Sequence, residues 1–240
     1  MPKLMNKPYC ILRSVQKLAL LILLIVFFHN NSNAQLRIPS HIDTSHFSIT
    51  PTNHHQVTNG MAIGWTAHPW TEGSDTIFVK VNGLNLEVGP LGIVGGLWGT
   101  MYGLAGTKDD DGHRVSFFSG YGYDSLLKDY PRYGTHINGL SLSIGGVNES
   151  YNRGLIINGL SGFCYTVEGV QVSGMVNSMA ELKGISVAAI ANIATRARGI
   201  QIGLINKCQS GNVLQIGLFN RIGKRVIPFI NFSAKKMQRV

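Results

Sequence analysis

The chain has 240 residues, of which 44% are hydrophobic and 14% charged, and its formal net charge is +9. That length is enough for one domain with a core of its own. The positive charge predicts anionic partners, but no aromatic residues interleave with the basic ones, which argues against nucleic acid.

The first 34 residues are typical of a signal peptide. Four basic residues and no acid precede an apolar run of eleven residues at 18–28. Eleven residues are fewer than the roughly 20 that span a bilayer, and the small residues Ser32 and Ala34 suit cleavage before Gln35. We therefore expect export with cleavage, and an uncleaved membrane anchor is the alternative. No cysteine stands at the cleavage site, so we expect no lipid anchor there.

Charge is unevenly distributed over the rest of the chain. Residues 35–138 hold six Lys/Arg and nine Asp/Glu, whereas residues 139–240 hold eleven Lys/Arg and three Asp/Glu. No acidic residue follows Glu181. This asymmetry predicts one face that prefers anionic partners.

Residues 35–137 are interpreted as degenerate repeats with an apolar insertion. The segments NGMAIGW (59–65) and NGLNLEVG (82–89) match the strand motif NGLSLSIGG (138–146) of the regular region. The insertion runs from about Pro90 to Tyr133 and separates the early copies from the regular ones.

Nineteen residues at 88–106 of this insertion carry no charge. Pro90 and seven glycines argue against a stable soluble helix there. We expect these residues to form an apolar lid over the first coil, because terminal repeats need capping. A membrane-touching or partner-binding flap is the alternative.

Residues 138–232 form a regular repeat, and a basic tail follows at 233–240. Each copy holds a glycine, two aliphatic residues in alternation and a terminal asparagine, which together indicate a true repeat. The glycines lie fifteen residues apart and the asparagines fourteen or fifteen apart: Gly139, Gly154, Gly169, Gly184 and Gly199, then Asn177, Asn192, Asn206 and Asn220.

The period predicts an all-β fold, because fifteen residues hold one strand of eight or nine and a connection of about six. Alternation within IQIGL (200–204) has a period of two rather than 3.6. Two architectures fit this pattern: a β-solenoid of stacked parallel coils, and an up-and-down antiparallel sheet or outer-membrane β-barrel.

The asparagine series favours the solenoid. Parallel stacking places Asn177, Asn192, Asn206 and Asn220 over one another, where their amides can form a hydrogen-bonded structural ladder. Apolar residues in the connections point the same way, because hairpin loops would be polar. The absence of charge from the strands favours the barrel instead, with a polar lumen lined by Gln171, Ser186 and Gln201.

The strand motif, the run RGIQIGLINK…LQIGLFNRIGKRVIPFINF (198–232) and the leader together resemble a bacterial family of exported surface repeat-containing proteins. The resemblance covers about 138–232 and, less closely, 59–89. It implies export to the envelope or surface of a Gram-negative cell. The repeat carries no catalytic motif, so the resemblance implies no catalytic residues.

The late basic residues all fall in predicted connections, where stacking would align them as an anion-binding ridge. Such a ridge could hold the phosphates of an envelope glycolipid or an anionic polysaccharide; the alternative is that turns simply collect charges. The ridge comprises Lys183, Arg196, Arg198, Lys207, Arg221, Lys224 and Arg225.

Other chemistry is weakly represented. The segment KDDDGH (108–113) lacks the alternate spacing of a calcium loop, and the histidines at 41, 46, 54 and 55 have no acid or cysteine at ligand spacing. We expect no metal and no cofactor. Cys164 and Cys208 fall three repeats apart, about 14 Å along a stack, so we expect two unpaired thiols.

The sequence contains no nucleophile elbow and no phosphate loop, and its repeat strands carry no paired acids for glycoside chemistry. We therefore expect a non-enzymatic, exported repeat protein with a structural or adhesive role at the bacterial envelope. The expected location is the cell surface or outer membrane, with the periplasm also open. The alternative function is an outer-membrane β-barrel that forms a small pore.

Overall fold

In the part of the chain that the structure describes, ten strands form a single sheet, and their order in space is their order in sequence. The computed structural model describes residues 42–52, 55–67, 78–105, 107–108, 114–115 and 134–234. The predicted signal peptide (1–34) and residues 235–240 of the basic tail lie outside these residues.

The elements are numbered along the chain, and a two-stranded hairpin of β4 and β5 stands apart from the main sheet. Their bounds are β1 Asp43–Thr50, β2 His55–Gly64, β3 Phe78–Glu87, α1 Pro90–Ala105, β4 Thr107–Lys108, β5 Arg114–Val115, β6 Gly134–Ser143, β7 Asn148–Asn158, β8 Ser161–Ser173, β9 Val176–Ala188, β10 Ala191–Ile202, β11 Ile205–Ile222 and β12 Arg225–Ala234.

Every neighbouring pair in the main sheet from β1 to β11 is parallel. Gly169 pairs with Gly184, and Gly184 pairs with Gly199, so these coils each advance the chain by fifteen residues, and the next coil advances it by fourteen. The predicted β-solenoid is therefore confirmed, and the antiparallel alternative is wrong. The early copies join the same register, because Gly60, Gly83 and Gly139 pair in turn.

The repeated glycine is needed because each strand bends there with the backbone of the previous coil close behind it. Gly184 has a φ of +141°, a region that side chains rarely adopt. A Cβ atom at this position would lie 1.9 Å from the carbonyl oxygen of Gly169. Glycine is therefore retained at the bend in coil after coil.

The predicted connections are wrong in one respect, since most of their residues lie within strands. β9 runs without a break from Val176 through the bend at Gly184 to Ala188. From β7 to β11, two-residue corners separate successive strands, such as 174–175 and 189–190. Backbone hydrogen bonds pass between these corners, as from Ile190 N to Met175 O at 2.9 Å. The six-residue connection is thus a second strand arm that pairs with its equivalents above and below.

The interior of the coil is apolar at one end and polar at the other. Met179, Leu182 and Val167 are buried in the main hydrophobic cluster. At the other end Gln171, Ser186 and Gln201 are fully buried. These are the side chains that the antiparallel alternative would have placed in a lumen; in the solenoid they lie inside the coil.

α1 contradicts the expectation that residues 88–106 would avoid a helix. Pro90 is its first residue, a position where proline costs nothing because its missing N–H would be unpaired anyway. Gly92 and Gly96 then let the helix approach closely, since Cβ atoms there would meet Gly146 and Ser161. The helix packs on β7 and β8. It therefore covers the middle of the stack, and the prediction of a lid over the first coil is wrong.

The last strand reverses direction and ends the stack. β12 pairs antiparallel with β11 through a tight turn at Gly223, whose φ is +59°. Pro228 lies in this strand, at the edge of the sheet, where a missing backbone donor is tolerated. Ser233 and Ala234, predicted to begin the basic tail, belong to β12.

Candidate binding surfaces

The four asparagines of the predicted ladder lie one above another inside the coil, and all four are fully buried. The side-chain amide of Asn177 donates to Oδ1 of Asn192 at 3.1 Å, Asn192 donates to Asn206 at 2.9 Å, and Asn206 donates to Asn220 at 2.8 Å. Every rung thus satisfies the acceptor of the next.

The same amides also hold the two arms of each coil together. Nδ2 of Asn192 donates to the carbonyl oxygen of Ile202 at 2.8 Å, and Nδ2 of Asn206 donates to that of Ile216 at 2.9 Å. Ser186 Oγ donates to Asn192 at 2.7 Å from the opposite arm. The ladder therefore connects neighbouring coils and also closes each coil across its polar end.

The predicted anion-binding ridge is divided among several places. Lys183 and Arg198 share one outward column, and Arg196 lies in register with Glu181 in another. Lys207 is buried. Arg221, Lys224 and Arg225 lie at the turn between β11 and β12. The connections are strands, so residues at different coil positions point to different sides and do not form one line.

Acidic residues partly neutralise the basic side chains that do come together. The Glu168 carboxylate lies 2.7 Å from Arg153 and 3.0 Å from Lys183. Hydrogen bonds from Lys183, and to a smaller extent from Arg153, lower the pKa of the Glu168 carboxyl. Glu181 lies 3.7 Å from both Lys183 and Arg196. With Arg198 included, this cluster of described side chains holds four cations and two acids, a local charge of about +2.

The same flank carries a row of aromatic rings from consecutive strands. Phe78 on β3 and His136 on β6 have ring centroids 6.0 Å apart, and His136 stacks on Tyr151 of β7 at 4.8 Å with an interplanar angle of 14°. Tyr151 and the buried Tyr165 continue the row at 5.3 Å. Parallel stacking brings these rings together although Phe78 and His136 are 58 positions apart.

A groove of about 450 Å³ opens over these rings, lined also by Lys80, Asn138, Arg153 and Glu168. Burial lowers the pKa of His136, and the positive charge of Lys80 lowers it further to a smaller extent. Burial, and then Tyr165, raises the pKa of Tyr151 to about 12. Both rings are therefore neutral near pH 7, and the charges stand at the rim of the groove.

Sequence reasoning missed this aromatic groove, although one signal was present. His136 and Tyr151 differ by one repeat of fifteen and pair directly. Phe78 could not be aligned by spacing, because insertions separate β2, β3 and β6.

Sequence reasoning also missed an asparagine ladder on the outer surface. The side chain of Asn138 donates to Asn82 at 2.9 Å, and that of Asn82 donates to Asn59 at 2.7 Å.

The described residues contain no group of three or more histidine, cysteine or acidic side chains that could hold a metal ion. Asp109, Asp110 and Asp111 lie outside those residues, as do the histidines at 41 and 54. In the part of the chain that the structure covers, no helix has the length and hydropathy needed to cross a membrane.

Cys164 and Cys208 are both free and buried, which confirms the prediction of two unpaired thiols. They occupy one interior column with Met179 and Ala194 between them. Burial raises the pKa of each thiol to about 12. Both are therefore thiols rather than reactive thiolates at neutral pH.

A single buried carboxyl stands out near the early coils. Glu87 accepts hydrogen bonds from the backbone N–H of Ala67 at 2.8 Å and from Asn85 at 3.2 Å. Burial outweighs these bonds and raises the pKa of Glu87 to about 7. The Glu87 carboxyl is therefore partly protonated and partly ionised near pH 7.

Neither protein-family models, nor curated proteins, nor solved structures match this chain. The family resemblance of the repeats remains a prediction, and function must be argued from the surfaces described above.

We predict that Asn192→Ala lowers the free energy of unfolding by about 2–4 kcal/mol, because it leaves buried partners on two neighbouring rungs without hydrogen bonds. Urea unfolding followed by circular dichroism measures this change. Asn212→Ala is the matched control, since Asn212 is exposed, and should change stability by less than about 0.5 kcal/mol. Equal effects of the two substitutions would contradict the ladder's role.

A second prediction concerns pH. The folded protein keeps the Glu87 proton up to about pH 7, whereas the ordinary pKa is 4.5. The folded state therefore binds more protons between these values, and the contribution of Glu87 to stability is lost as pH rises through them. Glu87→Gln should remove this dependence: from pH 5 to pH 8 the wild type should lose about 2–3 kcal/mol more than the variant in urea unfolding. If the free energy of unfolding changed with pH in the same way for the wild type and for Glu87→Gln, the prediction would be wrong.

Proposed function

We propose that this protein is a non-enzymatic, exported repeat protein with a structural or adhesive role at the bacterial cell envelope, and that the aromatic groove is its adhesive site. The expected ligand is an anionic polysaccharide or the sugar portion of an envelope glycolipid. The leader at 1–34 and the resemblance of the repeats support the envelope as the location.

The observation that carries the proposal is the row formed by Phe78, His136 and Tyr151. Flat rings with a fixed orientation pack against the C–H faces of sugar rings, and little conformational entropy is lost because the rings are already stacked. Rings on consecutive strands repeat along the solenoid axis, as sugar units repeat along a polysaccharide. A groove with this spacing favours an extended chain over a single small molecule.

The rim of the groove favours an acidic sugar. Lys80 and Arg153 line the groove together with a single acid, Glu168. The side chain of Arg153 is 73% exposed and keeps donors beyond those it gives to Glu168. Arg153 can therefore reach a carboxylate or phosphate on a bound chain while its existing ion pair holds it beside the rings.

The contacts of the nearby acids support a binding role rather than hydrolysis. Glycoside cleavage needs two carboxyl groups facing each other across the scissile bond. Glu168 and Glu181 are instead held in ion pairs with Arg153, Lys183 and Arg196. Glu87, whose pKa is suitable for acid catalysis, is buried.

The structural part of the role rests on the buried ladders. Gln215 donates to Gln201 at 2.8 Å in a second interior column beside the asparagines. Side-chain bonds thus supplement the backbone bonds between coils, and they suit a scaffold that must hold an adhesive flank in a fixed shape.

We expect the protein to bind polygalacturonic acid more tightly than its methyl ester, because the ester keeps the sugar and removes the charge. Tyr151→Ala should weaken binding to both polymers at least tenfold, a loss of about 1.4 kcal/mol. Arg153→Gln should weaken binding to the acid only, and added salt should have the same effect. Isothermal titration or affinity electrophoresis can measure these changes.

Phe47→Ala is the control, since Phe47 is an exposed aromatic residue outside the groove. It should bind both polymers as the wild type does. Wild-type affinity of Tyr151→Ala would overturn the groove as the site, and insensitivity of binding to salt and esterification would overturn the preference for acidic sugars.

A further inference from the structure

The flank on the other side of the glycine bends is apolar along the whole stack. The two alternating positions after each bend point outward, and β1 and β12 continue them at the ends. These positions form the apolar face: Phe47, Ile49, Met61, Ile63, Leu84, Leu86, Leu140, Leu142, Leu155, Ile157, Val170, Val172, Ile185, Val187, Ile200, Ile202, Leu214, Ile216, Ile230 and Phe232.

Each side chain of the apolar face is at least partly exposed. Ile157 and Ile216 in the interior rows are 41% and 39% exposed, and Phe47 and Phe232 at the two ends are 54% and 68% exposed. Charged and polar residues are absent from these positions. The face thus explains why the arm after each glycine bend carries no charge in the regular coils: its inner side is buried, and its outer side is apolar.

The apolar face is also large. Ten strands about 4.8 Å apart make it about 43 Å long, and two side chains per strand make it about 13 Å wide, hence roughly 550 Å². The largest apolar patch on a typical monomer covers about 300–600 Å² and is often functional. This face is therefore at the upper end of what a monomer leaves in water.

The face cannot turn inward, because in eight of the ten strands the residue between its two side chains is polar. Ser141, Gln171 and Gln201 alternate with the outward aliphatic residues and are fully buried. Exchanging inside and outside would break the interior hydrogen bonds, such as that from Gln215 to Gln201. Only another surface can cover the aliphatic side.

The two long rims of the face distinguish a protein partner from a lipid surface. A membrane-binding surface is usually edged with cations. One rim carries Arg153, Lys183 and Arg198, with Glu168 paired between them. Along the regular coils the opposite rim is a column of aliphatic and aromatic corner residues: Leu160, Met175, Ile190, Leu204 and Phe219. The cations at one rim, partly neutralised by Glu168, do not match a headgroup layer.

We propose that the apolar face binds the same face of a second copy of this chain. Both copies have the same row spacing, so the side-chain rows of one can lie between the rows of the other across the whole length. Pairing would bury about 1,100 Å² in total from the two faces, above the roughly 1,000 Å² expected of a specific interface. The proposal is independent of the aromatic groove, which lies on the other flank and stays open.

Sedimentation velocity of the full chain recovered from expressing cells tests the pairing. The wild type should be a dimer at micromolar concentration. The quadruple variant Val170→Thr, Val172→Thr, Ile185→Thr, Val187→Thr should have a dissociation constant at least a hundredfold higher, because it places hydroxyls at the centre of the face. Threonine keeps the β-branched shape that strands favour, so circular dichroism should be unchanged.

The control variant Leu97→Gln, Val226→Thr removes two exposed apolar residues outside the face and should remain dimeric.

A second measurement needs no variant. Met61 lies on the face, so dimerisation should cover it, and its oxidation by peroxide should slow as the wild-type concentration rises. A wild type that is monomeric at about 100 µM, or that floats with lipid vesicles as a monomer, would overturn the proposal. So would a dimer in which Met61 oxidation is independent of concentration.

Discussion

In-register parallel stacking is the constraint on which the rest of this structure depends. Once each coil lies directly over the last, every position within the stack has an equivalent neighbour about 4.8 Å above and below it. A buried amide can then satisfy its own kind, as Asn177, Asn192, Asn206 and Asn220 do. A buried charge cannot, since like charges would stack. The same geometry therefore explains both the repeated asparagines and the scarcity of charge inside the coil.

Stacking also gives each flank of the coil a uniform character over its whole length. One arm presents rings and charges, including His136, Tyr151 and Arg153, and the other presents apolar side chains. The glycine bends separate the two flanks, because Gly169 and Gly184 have φ values of +134° and +141° and carry no side chain to cross the edge. The coil thus has two separate surfaces of different chemical character.

The sequence was sufficient for the solenoid, its period and its ladder, because these depend on repetition that can be counted. It was insufficient where contacts depend on register across insertions, as for Phe78 beside His136. It also misassigned the connections, since a strand arm containing Lys183 or Arg196 resembles a polar loop when its stacking partners are unknown. α1 was missed for a related reason: its glycines reduce helix propensity, and only packing against Gly146 and Ser161 repays that cost.

Pulsed electron spin resonance between spin labels in the outward column beside the glycine bends tests the stacking most directly. One label would stand at Arg198 and the second at Asn138, Asn82 or Asn59, which lie four, five and six coils away. Parallel stacking predicts distances of about 19, 24 and 29 Å, in equal steps of one coil spacing. Distances that alternate between neighbouring coils, or that follow sequence separation, would contradict the account.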